Sequence, residues 1–110
     1  MRQIAVAEMA GGRLLVYVGH FDIGADSIPE AWGEGERFED EWDLGPRQFY
    51  CWQLKDGTYV SLERVENAIV PGFSFKVRAD TENADTMRAV LRNFLEESGL
   101  SEDKIVERMF

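Results

Sequence analysis

Two β-rich runs joined by Asp56-Gly57 constrain the fold of this chain more than any other feature. "RQFYCWQL" and "TYVSLERV" hold β-branched and aromatic residues on both sides of a dipeptide that suits a type I′ hairpin loop. If the loop is those two residues, facing positions have numbers that sum to 113. Cys51 then faces Leu62, Gln53 faces Val60 and Phe49 faces Arg64 on one side of the hairpin. Trp52 faces Ser61, Leu54 faces Tyr59 and Tyr50 faces Glu63 on the other. The first side has the smaller apolar residues and is expected in the core. The amphipathic rings of the second can stand at a partly wet surface.

The rest of the chain is built around that hairpin. "FSFKVRA", after Pro71-Gly72, alternates Phe73, Phe75 and Val77 inward with Lys76 and Arg78 outward, as a strand does. Met87, Val90, Leu91, Phe94 and Leu95 recur at helical spacing and predict an amphipathic helix over about 84–98. Asn83 or Asp85 is expected to cap its start and Gly99 its end. Ser101 is placed to cap a short final helix, with Ile105, Val106 and Met109 packing back. Near the N-terminus, "RQIAVAEM" and "RLLVYVGHF" flank Ala10, Gly11 and Gly12 and read as another hairpin. Apolar residues on both faces of its second strand place that strand inside the sheet. "SIPEAW" predicts one helical turn, with Ser27 capping and Pro29 in the first turn. The expected fold is one α+β domain over 1–110: about five mostly antiparallel strands, a C-terminal helix on one face and a short final helix. An acidic aromatic loop is expected at about 22–46.

Charge is distributed unevenly. Residues 22–43 carry nine carboxylates against Arg37 alone, a net of −8 out of −9 for the chain. Like charges repel one another, so this clustering calls for a reason that solubility does not supply. Its densest part is "EGERFEDEWD", residues 34–43, in which Phe38 and Trp42 sit among six carboxylates. Such a segment fits a basic surface that ordinarily takes a phosphate backbone. By the same sign, direct nucleic-acid binding is disfavoured, because it requires a basic stripe.

Chemical motifs are sparse. His20, the sole histidine, precedes Asp22 by two residues, and a carboxylate so placed on a strand could orient the imidazole. Cys51, the sole cysteine, lies mid-strand between Tyr50 and Trp52, the setting of a buried small hydrophobe. No disulfide can form within one chain. The acidic run matches no calcium loop, and Gly33 and Gly35 stand among glutamates that repel phosphate. Neither a metal, a cofactor nor a catalytic residue is expected. The N-terminus has no apolar run of signal-peptide length and no eighteen apolar residues occur together, so a cytoplasmic protein without a membrane partner is expected.

These features predict a small acidic inhibitor that occludes a basic, nucleic-acid-binding or nuclease-type active site, as immunity proteins, antitoxins and phage-encoded blockers do. Its expected contact residues are Trp32, Glu34, Glu36, Phe38, Glu39, Asp40, Glu41, Trp42 and Asp43. The rings are expected as anchors and the carboxylates as steering charge. Two competing readings have different consequences. In one, Trp32, Phe38 and Trp42 only peg a long loop to the sheet. In the other, His20, Asp22, Tyr50, Trp52 and Tyr59 line a pocket for a small ligand or substrate.

Overall fold

A computed structural model describes residues 1–10, 14–24, 28–33, 35–39, 46–66, 71–80 and 82–110. The described residues form an α+β fold. One antiparallel sheet of seven strands carries a single long helix on one face. The strands are β1 (Arg2–Ile4), β2 (Leu14–Phe21), β3 (Glu36–Phe38), β4 (Arg47–Gln53), β5 (Tyr59–Val65), β6 (Phe73–Ala79) and β7 (Ile105–Arg108). They lie in the order β1-β4-β5-β6-β2-β7. β3 shares the outer edge of β4 with β1, pairing along Arg47–Phe49 while β1 pairs along Cys51–Gln53.

The long helix, α2 (Ala84–Ser98), forms where its apolar stripe predicts. The Asn83 side chain accepts the Thr86 N–H at 3.0 Å, and left-handed Gly99 donates to the Leu95 carbonyl at 3.0 Å. Met87, Val90, Leu91 and Phe94 are buried against Val16, Val18, Phe21, Val60, Leu62, Phe73, Phe75 and Val77. Phe94 stacks on Phe75 with centroids 4.6 Å apart. Burial of this many large apolar side chains supplies most of the drive to fold, at about 1.5–3 kcal/mol each.

Four expectations are corrected. The central hairpin exists, but its loop is Lys55-Asp56-Gly57, with Leu54 and Thr58 closing it through the Leu54 N–H to Thr58 carbonyl bond at 2.8 Å. The Asp56 carboxylate accepts the Thr58 N–H, and Gly57 supplies the left-handed residue that such a three-residue loop requires, at φ 93°. Partners therefore sum to 112: Cys51 faces Ser61, Trp52 faces Val60 and Tyr50 faces Leu62. A one-residue slip exchanges the faces. Tyr50, Trp52 and Leu54 lie in the core beneath α2, while Phe49, Cys51 and Tyr59 lie on the opposite face.

The N-terminal hairpin is absent. β1 pairs with β4, Val6–Ala10 forms a short helix (α1), and β2 pairs with β6 and β7. The alanines, Glu8 and Met9 are good helix formers, and that preference decides the segment. α1 lies over part of β4 and β5, where Ile4, Met9 and Cys51 form a second small core. β2 is interior, as its composition predicts.

The short final helix is also absent. Glu102–Lys104 makes a single 3₁₀ turn, and β7 then adds to the free edge of β2. Ile105 packs against the core, but Val106 and Met109 are exposed. Finally, the acidic segment is not loop throughout, because Glu36–Phe38 is strand β3. "SIPEAW" does contain a 3₁₀ turn, Glu30–Trp32, preceded by Pro29; its proposed cap, Ser27, lies outside the described residues.

Candidate functional site

Among the described residues, α2 covers one face of the sheet and α1 a corner of the other, leaving much of that second face open. A bulge between Tyr17 and Gly19 determines what lies there. Strict alternation would send Phe21 to the same face as Tyr17. The extra residue instead turns Phe21 into the core and His20 onto the open face, beside Ser74. Gly19 also lets β7 approach, since a Cβ there would fall 2.7 Å from the Glu107 carbonyl oxygen.

Facing residues of antiparallel strands share a side of the sheet. The pairs Glu36–Phe49, Phe49–Glu63, Glu63–Ser74, Ser74–His20 and His20–Glu107 therefore form one row that crosses six strands. At the usual strand spacing the row is roughly 24 Å long. Two adjoining hollows open along it. One, of about 290 Å³, is lined by Val6, Phe38, Glu39, Arg47 and Phe49. The other, of about 300 Å³, is lined by Tyr17, His20, Glu63, Val65, Gly72, Ser74, Lys76 and Glu107. Between them Glu63, its side chain 10% exposed, holds Lys76 at 2.8 Å and Arg47 at 3.5 Å.

Residues of the acidic segment divide between two environments. Trp32 is 5% exposed and packs against Tyr50 and Trp52, with ring centroids at 5.9 and 4.8 Å. It belongs to the core, so its ring is not offered at the surface. Phe38 is 46% exposed and stands edge-on to Phe49 at 5.6 Å. The Glu36 carboxylate accepts the Val6 N–H at 2.6 Å and ties β3 to the start of α1. Glu39 is exposed, 3.7 Å from Arg37, which also forms a two-bond ion pair with Glu66. That pair holds the Glu66 carboxyl below its ordinary range and raises the Arg37 guanidinium. Glu34, Asp40, Glu41, Trp42 and Asp43 lie outside the described residues.

The pocket expected around His20, Asp22, Tyr50, Trp52 and Tyr59 is not assembled. Tyr50 and Trp52 are buried on the α2 face, whereas His20 is on the other. Tyr59 lies under Arg78, 4.6 Å from ring centroid to guanidinium, beside a separate groove. Asp22 follows the end of β2 and is exposed. His20 instead contacts the Pro71 carbonyl, with Nε2 at 2.6 Å. A carbonyl only accepts, so Nε2 is the donor in this contact. Gly72 makes this contact possible. It sits at φ 100°, and a Cβ would fall 2.1 Å from the Phe21 carbonyl oxygen and 3.1 Å from His20 Nε2.

Cys51 is buried, and its thiol is pushed up to about 12, first by burial and then by Glu36 and Glu63. It is therefore a thiol, not a thiolate, at neutral pH. Among the described residues no three His, Cys, Asp or Glu side chains converge to hold a metal ion. Nor is any helix among them long and apolar enough to cross a membrane. Sequence reasoning missed Tyr17, Ser74 and Glu107, which lie on three strands and form no local motif. The outward position of Lys76 on β6 was the available signal. No family model matches the chain, and no significant match was found among curated proteins or solved structures.

Proposed function

We propose that this chain is a small acidic inhibitor that occludes the basic active site of a nucleic-acid-binding or nuclease-type protein, in the manner of immunity proteins, antitoxins and phage-encoded blockers. The observation that carries the reading is Phe38, a large ring half exposed on an edge strand, backed by Phe49 and set within the acidic segment. Exposed aromatics held rigidly from behind are the side chains that anchor interfaces. Glu34, Glu36, Glu39, Asp40, Glu41 and Asp43 surround it in sequence and would steer a lysine- and arginine-rich surface toward it. Steering of this kind raises association rates by roughly 10- to 1000-fold and fades with salt. Trp42 is a second candidate anchor, whereas Trp32 belongs to the core beneath α2. The partner is a basic protein met in the cytoplasm, without direct contact to nucleic acid or membrane.

Capture of partners at low and high salt, followed by nuclease assays on the captured protein, tests the proposal. Addition of this chain should block cleavage. Glu39→Gln, Asp40→Asn and Glu41→Gln together should slow association and flatten its salt dependence, while stability stays unchanged or rises slightly. Phe38→Ala should chiefly speed dissociation. Salt-independent association, unchanged in the triple amide, refutes the inhibitor reading.

A further inference from the structure

We propose that the hollow between Tyr17, His20, Ser74 and Glu107 receives one lysine or arginine side chain of the basic partner. The inference rests on the reading of this chain as an inhibitor of a basic protein and adds a specific pocket to it. The hollow lies on the same face as Phe38, and one row of side chains joins Glu107 to Glu36. A partner seated on Phe38 that spans about 24 Å of sheet reaches it, and a footprint of this width is ordinary for an interface.

The chemistry of the walls selects the guest. Glu107 and Glu63 contribute carboxylates on opposite sides of His20 and Ser74. The Lys76 cation is already held by Glu63 at 2.8 Å. Among the described residues Glu107 has neither an ion pair nor a side-chain hydrogen bond, yet it is close enough to Tyr17 to raise the phenol, after burial as the larger cause. An unengaged carboxylate beside an aromatic ring suits an ammonium or guanidinium: the charge meets the carboxylate and the ring face takes the cation. Val65 and the Tyr17 ring offer apolar surface for an alkyl stem. His20 is held against the Pro71 carbonyl through Nε2, so its ring forms a fixed wall of the hollow. With Glu63 paired to Lys76, the Glu107 carboxylate gives the hollow its net negative charge, which favours a cation over an anion.

The test uses the full chain, ¹⁵N-labelled, titrated with N-acetyl-lysinamide, N-acetyl-argininamide and N-acetyl-norleucinamide. Either cation should shift the amides of Tyr17, His20, Gly72, Ser74 and Glu107 with a dissociation constant on the order of millimolar. The norleucine compound, with a similar stem and no charge, should leave them in place. Glu107→Gln, checked by thermal melt to be folded, should weaken cation binding roughly three- to tenfold. Tyr17→Leu should weaken it as well, through loss of the ring. Absence of shifts with both cations, equal shifts with norleucine, or full binding in Glu107→Gln overturns the proposal. Against the basic partner itself the two ideas separate. If Glu107→Gln binds fully while the triple amide loses its salt dependence, the hollow is wrong and the acidic edge stands. If the triple amide is unchanged while the lysine probe still binds the hollow, the acidic edge is wrong and the hollow stands.

Discussion

Trp32 and Phe38 lie six residues apart in one acidic segment, yet their replacement should have opposite consequences. Trp32→Ala removes a ring that is 5% exposed and touches Tyr50 and Trp52. Large buried aromatics cost about 3–5 kcal/mol when cut to alanine, because transfer energy and a residual cavity add together. For a domain of this size, at about 4 °C for each kcal/mol, the melting temperature should fall by roughly 12–20 °C. Phe38→Ala removes a ring with half of its surface already in water. Its loss forfeits about 1 kcal/mol of burial and about 1 kcal/mol or less from the edge-on contact with Phe49. The total is roughly 1–2 kcal/mol, or about 4–8 °C. Urea denaturation with far- and near-ultraviolet circular dichroism measures both, and unchanged slopes confirm that the two variants unfold in the same manner. A Phe38→Ala loss as large as that of Trp32→Ala would show that Phe38 is a structural peg, and the surface role assigned to it would be wrong.

Other consequences are independent of any partner. Leu91→Ala should cost about 2–5 kcal/mol in urea, since Leu91 is buried between α2 and the sheet; a loss below about 0.5 kcal/mol would mean the stripe faces water. Gly72→Ala should cost about 2 kcal/mol or more and should shift the His20 ring resonances, because its Cβ collides with the Phe21 carbonyl. Cys51 should confer an alkaline limit. Its thiol is near 9 ordinarily and about 12 when folded, so its contribution is full below about pH 9 and is lost as pH rises toward 12. Cys51→Ala should flatten the decline in stability over that window, and an identical slope in the variant counts against the assigned shift.

Elements with a strong local period were legible in the sequence. The α2 stripe and both of its caps, Asn83 and Gly99, agree with one another over four turns, and no tertiary force opposes them. The alternation of β6 is legible for the same reason. The hairpin shows how little separates a right element from a wrong register. Lys55 joins the loop, and that one residue moves Tyr50 and Trp52 from the expected surface into the core. At β2 the bulge between Tyr17 and Gly19 puts His20 and Phe21 on the faces opposite to those that strict alternation dictates. β1, β3 and β7 are short edge strands stabilised by neighbours distant in sequence, so no local pattern announces them. Within the site, the acidic aromatic character of residues 34–43 was visible, but the division between Trp32 inside and Phe38 outside depends on tertiary packing. The His20 hollow is assembled from four strands by that same packing.

The most direct test of the open sheet face as the binding surface is hydrogen exchange of the chain, free and bound to its basic partner. Binding should slow exchange, or shift amide resonances, along β3, the Arg47–Phe49 end of β4, and the Ser74, His20 and Glu107 positions of β6, β2 and β7. The outer surface of α2, at Arg88, Arg92 and Glu96, should be unaffected. Protection confined to α2, or spread equally over both faces, would contradict the assignment.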